Sequence, residues 1–166
     1  MRQLLSEEYL QARENVLLIG NSGAGKTHLA TALGFAACTQ GRRVRFWSAM
    51  ALVTPLLELR EQRDLKRFLT QVEKHELLVL DELGYVPFSK DGSELLFEVV
   101  SRAYERLSLI VTINFPFEQW AEVMGSERLT VALLDGVTHR VHIIEANGES
   151  YRLKDAQKRH KKPPRG

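Results

Sequence analysis

The chain carries a single cysteine, Cys38, so it can build neither an intrachain disulfide nor a zinc site made of thiolates. Long apolar runs are missing too, and none approaches the ~20 residues that a membrane-spanning helix requires. The opening residues, Met1 to Glu8, lack the extended hydrophobic segment of a secretory signal. No internal repeat or low-complexity segment interrupts the interior. These absences exclude a disulfide-stapled scaffold and a helical membrane protein, and they point to the cytoplasm. Cys38 falls inside a helical stretch, where it reads as a small core residue.

What is present fits one globular domain with a real core: 166 residues, 44% of them hydrophobic. The net charge is only +2, but it is unevenly placed. Residues 151–166 carry seven Lys/Arg against one Asp, a net of +6, and the preceding 150 residues have a net of −4. The run Lys158-Arg159-His160-Lys161-Lys162 is too polar to pack. It is expected to form a disordered basic extension, either simply solvated or able to contact phosphate backbones. The expected organisation is a short N-terminal segment (1–14), a core (15–150) and the basic tail (151–166).

The most informative stretch is Gly20-Asn21-Ser22-Gly23-Ala24-Gly25-Lys26-Thr27. It fits G-x-x-x-x-G-K-[ST], the phosphate-binding P-loop. An apolar run, Val16-Leu17-Leu18-Ile19, precedes it as a buried strand, and a helix from Lys26 to Thr39 follows. Glycines let the backbone curl so that several N–H groups face phosphate oxygens. The helix presents its positive end to the same anion. Lys26 is expected to reach the terminal phosphates, and the Thr27 hydroxyl to ligate Mg²⁺.

A second motif, Leu77-Leu78-Val79-Leu80-Asp81-Glu82, is a buried strand that delivers two carboxylates to the edge of a sheet, the Walker B pattern. Asp81 is the candidate metal ligand. Glu82 is the candidate base that orients or deprotonates the attacking water. An acid directly after Asp81 suggests a nucleotide hydrolase rather than a small-molecule kinase.

Elsewhere strands and helices alternate. Strands are expected at 15–20, 44–47, 77–80, 109–112 and 141–144. Helices are expected from Ser48 to Leu59, with Pro55 interrupting the early turns, from Glu58 to Lys74 as one amphipathic segment, and from Asp91 to Arg106. Two short helices, Phe117–Met124 and Glu127–Leu134, complete the pattern. Such alternation predicts a three-layer α/β fold, a P-loop NTPase with a five-stranded parallel sheet. Asn114, just after the fourth strand, could hold the attacking water or the γ-phosphate, or serve only as a turn residue. Arg140 and Arg152 flank the fifth strand as phosphate sensors or surface cations.

Four strings together resemble a known family: Gly25-Lys26-Thr27-His28-Leu29-Ala30, Asp81-Glu82-Leu83-Gly84-Tyr85-Val86-Pro87, Ile113-Asn114-Phe115-Pro116-Phe117-Glu118-Gln119-Trp120, and Gly148-Glu149-Ser150-Tyr151-Arg152-Leu153. They are similar to the IstB-like AAA+ ATPases, which assist transposases of insertion sequences and are related to DnaC-like helicase loaders. The resemblance spans about Glu14 to Lys154. It implies an oligomer that binds ATP and Mg²⁺, assembles on duplex DNA and assists a transposase, with a phosphate-binding set from Gly20 through His28. It makes Asn114 the sensor I residue. A replicative-helicase partner, or a truncated remnant that binds ATP without hydrolysing it, are the alternatives. Gly20-Asn21-Ser22-Gly23 stands where the family has Gly-Pro-Pro-Gly, and Gly136 stands where it has an arginine near the expected arginine finger. Arg128 and Arg140 are the candidate substitutes. The family also has a longer segment before the P-loop strand than the 14 residues here, one that contributes to DNA and partner contacts.

Overall fold

A computed structural model describes Leu4, Ser6 and residues 8–148. The basic tail, Arg152 and most of the Gly148–Leu153 string lie outside the described residues. Along the chain, a one-turn helix α1 (Glu8–Gln11) leads to β1 (Asn15–Gly20) and α2 (Lys26–Thr39). Next come β2 (Val44–Ser48), α3 (Ala49–Glu61), α4 (Leu65–Val72), β3 (Leu77–Leu83) and α5 (Lys90–Ala103). After β4 (Ser108–Ile113), a 3₁₀ turn (Phe117–Gln119) runs into α6 (Trp120–Met124), α7 (Glu127–Thr138) and β5 (Val141–Ala146).

The five strands form one parallel sheet in the order β2-β3-β4-β1-β5. Parallel neighbours need crossover connections, and the helices between strands supply them. Helices on both faces explain why the central strands read as unbroken apolar runs rather than alternating ones. Alternate side chains go to opposite cores. Leu17, Leu78, Leu80, Leu109 and Val111 pack with α3 to α7, whereas Val16, Leu18, Leu77, Val79 and Ile110 pack with α1, α2 and Leu4. The expected five-stranded parallel sheet is therefore present, with β4 beside the P-loop strand β1.

Local departures from the sequence reading have physical causes. Helix α3 runs straight through Pro55 instead of being interrupted there. Proline removes one N–H, and the carbonyl it strands belongs to Ala51, on the exposed side of the helix where water can bond it. Buried Leu52, Val53 and Leu56 hold the opposite side. The charge-rich segment 58–74 is two helices, not one. Arg63 takes a left-handed φ of 62°, Asp64 N–H donates to Leu59 O (2.9 Å) and Arg63 N–H to Arg60 O (3.2 Å), a Schellman closure built without glycine. Cys38 is exposed on the outer side of α2, so it is not a core residue. The buried side is made by Ala30, Leu33, Gly34 and Ala37.

Helix α7 extends past Leu134 to Thr138 because a buried side chain receives its end. The Asn15 amide donates to Val137 O (3.1 Å), and the Asn15 Oδ1 accepts from Leu109 N–H (2.9 Å). One side chain thus ties the starts of β1 and β4 to the C-terminus of α7, satisfying groups that helix and strand ends leave over. Asn15→Leu keeps the volume but strands these partners in the core. It is expected to lower unfolding stability by about 1–3 kcal/mol in urea titration, and a loss below ~0.5 kcal/mol would contradict the role given to Asn15.

Candidate functional site

The site lies at the carboxyl ends of β1, β3 and β4, where doubly wound sheets place ligands. Gly20 ends β1 against β5, and a Cβ there would sit 2.1 Å from the Ala146 carbonyl oxygen. Only glycine permits that approach. Gly25 has φ 88° and no side chain caps the first turn of α2. Among the described residues, the amides of Gly23, Gly25, Lys26 and Thr27 donate to no backbone carbonyl. Unpaired N–H groups at the positive end of a fourteen-residue helix form a ready anion cradle.

Lys26 is buried at 5% exposure, and its ammonium donates to Gly20 O (2.8 Å) and Asn21 O (2.6 Å). Burial lowers its pKa, while the nearby charge of Asp81 pulls the other way. Next to it, the Thr27 hydroxyl donates to Asp81 Oδ1 at 3.0 Å. Asp81 is itself 5% exposed, and it also accepts from the Thr112 hydroxyl at 2.5 Å. A hydroxyl and a carboxylate brought together beside an amide-lined loop are hard oxygen donors of the kind magnesium takes together with phosphate. The residues present therefore fit both a polyphosphate and its divalent cation.

The two acids differ in environment. Asp81 is buried, whereas Glu82 is exposed, with a left-handed φ of 58°. The register with β4 shifts between Leu80 and Leu83, so Asp81 and Glu82 together face Thr112 across a β-bulge. Bulges re-aim side chains in this way beside functional sites. Asn114 follows β4 directly and is half-buried. The turn after it is anchored by Trp120, fully buried, with the Phe117 ring 5.6 Å and the Phe115 ring 6.2 Å away.

The structure thus brings together the Gly20–Thr27 loop and Asp81, with Glu82 and Asn114 at the adjoining strand ends. Asn21, Ser22 and His28 are exposed around the cradle. Arg128 and Arg140 are also exposed, and among the described residues neither forms an ion pair. Gly136 is half-buried on the side of α7 that packs on α5, where a Cβ would lie 3.2 Å from Val100. The residue the sequence reading missed is Thr112. Its signal was there: a lone polar residue in the run Leu109-Ile110-Val111-Thr112-Ile113, two positions before Asn114.

The family described as IstB-like ATP binding protein matches residues 1–159. An ATP-binding protein of insertion sequence IS21 from Pseudomonas aeruginosa is 39% identical over 158 residues, which is 95% of this chain and 60% of that protein. The counterpart in IS232 of Bacillus thuringiensis subsp. berliner is 36% identical over 151 residues, 91% of this chain and 60% of the relative. The chain therefore spans about 60% of the length of these relatives. Among solved structures, the DnaC helicase loader superimposes with a TM-score of 0.69 at 24% identity, covering 86% of this chain and 85% of that one. That likeness shows the fold, a three-layer α/β domain around the five-stranded parallel sheet. Among the described residues, no helix is long and apolar enough to cross a membrane.

Burial of Lys26 without a bonded carboxylate separates stability from binding. Lys26→Met removes a desolvated charge and is expected to leave the thermal midpoint unchanged or higher. Nucleotide affinity should fall by about 10- to 100-fold, the worth of hydrogen bonds from a charged donor. Calorimetry that found affinity intact would remove Lys26 from the site.

Proposed function

The chain belongs to the IstB-like ATP-binding protein family, and from that premise we propose that it binds ATP with Mg²⁺ in the Gly20–Thr27 loop and hydrolyses it while assembled on DNA beside a transposase. The observation that carries this reading is the 3.0 Å contact between Thr27 and Asp81, which joins the phosphate cradle to the acidic strand. Neither motif alone supports nucleotide chemistry as well as their meeting does.

In this reading the loop amides and Lys26 bind the β- and γ-phosphates, and Thr27 and Asp81 hold the cation. Bound magnesium supplies charge neutralisation at the phosphate oxygens. Glu82 orients the attacking water and accepts its proton as the oxygen bonds to the γ-phosphorus and the bond to ADP breaks. Asn114 contacts the γ-phosphate or that water. A cation from a neighbouring copy completes the charge balance, as arginine fingers do in trans, which is a physical reason for assembly. Arg128 and Arg140 are the exposed candidates on the α7 side. Relatives at 39% and 36% identity come from insertion sequences, which favours a transposase over a replicative helicase as partner. The basic tail, net +6, suits the sequence-independent charge of a DNA backbone.

Glu82→Gln is expected to keep ATP affinity within about 3-fold and reduce turnover by at least ~100-fold, the scale of a lost general base. In the unaltered chain, the ATPase rate per molecule should rise with protein concentration and with added duplex DNA. Normal turnover in the glutamine variant would reassign the base, and a rate per molecule independent of concentration would argue against a shared catalytic site.

A further inference from the structure

Thr112 occupies a position that no nucleotide-binding motif accounts for. It lies on β4, 1% exposed, and β4 is the strand between P-loop strand β1 and acidic strand β3. Its register partner in β1 is Leu18, two residues before the P-loop glycine, and across the other edge it faces the Asp81–Glu82 bulge. A threonine hydroxyl has one proton to give and lone pairs to receive with. Here it uses both. It donates to Asp81 Oδ1 at 2.5 Å and accepts from the Glu82 backbone N–H at 2.8 Å.

Each bond acts on a different acid. Asp81 Oδ1 already accepts the Thr27 hydroxyl at 3.0 Å, so the second donor fixes the carboxylate plane and keeps Oδ2 turned away from both hydroxyls. Glu82 sits at φ 58°, a conformation that costs a non-glycine residue about 1–2 kcal/mol. Its amide, displaced from the regular ladder by the bulge, is received by Thr112. A strand without this hydroxyl would leave that amide stranded and the bulge free to relax towards regular pairing.

We propose that Thr112 is a positioning residue that sets both acids at once, holding Asp81 for the cation and Glu82 for the water. The proposal rests on the reading of this site as an ATP·Mg²⁺ site. It differs from a purely structural role in what it predicts. A structural hydroxyl would affect stability and every ligand alike, whereas a positioning hydroxyl affects only steps that depend on the two carboxylates.

The test compares Thr112→Val, which keeps the shape and removes both bonds, with Thr112→Ser, which keeps the hydroxyl. Two readouts are needed: steady-state ATP hydrolysis, and ATP affinity measured by calorimetry with magnesium and with EDTA. For Thr112→Val we expect kcat to fall by about 10- to 100-fold with KM within ~3-fold, the usual scale for residues that orient ligands of a metal site. The gain in ATP affinity on adding magnesium should shrink by a similar factor, while affinity in EDTA stays as in the unaltered chain. Thr112→Ser should restore both to within about 3-fold. If Thr112→Val does not fold, Thr112→Ala carries the same expectations. An unaltered chain without measurable ATP affinity would overturn the functional reading and this proposal with it. If the unaltered chain binds ATP but does not turn over, the magnesium readout decides. A hydroxyl-free variant with unchanged magnesium dependence and unchanged kcat would overturn the role of Thr112 alone, as would a serine variant as impaired as the valine one.

Discussion

The P-loop and the acidic residues arise on strands that are not neighbours. β1 and β3 are held apart by β4, so the chemistry must be assembled across an intervening strand. That constraint explains why the site is a chain of hydroxyls and carboxylates: Thr27 to Asp81, Thr112 to Asp81, and the Glu82 amide to Thr112. Asp81 and Lys26 are both 5% exposed, and burying either charge is unfavourable unless its polar partners are in place. The sheet order, the bulge and the loop conformation therefore depend on one another. A shift of β4 by one residue would present Val111 or Ile113 to the acids and leave Asp81 without its second donor.

The fold was legible because its signals are of the strong kind. Apolar runs marked β1, β3 and β4, short segments of β-branched and aromatic residues marked β2 and β5, and the P-loop fixed the first crossover. The losses were local. The sequence reading treated Pro55 as a breaker, which holds only when the lost hydrogen bond cannot go to water. It missed the stop at Arg63 because that stop uses an arginine in a conformation normally given to glycine. Cysteine is by type among the most buried residues, yet the buried stripe of α2 runs through Ala30, Leu33, Gly34 and Ala37 and leaves Cys38 outside it.

Within the site, the sequence named the residues whose roles follow from motif chemistry and overlooked the one whose role follows from register. Thr112 matters because two residues of β3 oppose it, and a bulge leaves no mark in composition. Gly136 shows the reverse. Its identity stood out in the sequence, but its meaning lies in packing, on the face of α7 turned towards Val100 and just before the Val137 carbonyl to which Asn15 donates. An arginine at that position would have to leave the helix interface before its guanidinium could reach outward.

The lysine of the loop carries a consequence for energetics. Its ammonium already has two carbonyl acceptors, Gly20 O and Asn21 O. An ammonium has three protons, so a phosphate arriving there can take the one these carbonyls leave over and competes with them for the other two. For those two, bond-for-bond exchange leaves only the difference between a neutral carbonyl and a charged oxygen as acceptor. At Lys26 a ligand is therefore favoured mainly by the negative charge it brings, whereas the unpaired amides of the loop reward the acceptors it offers.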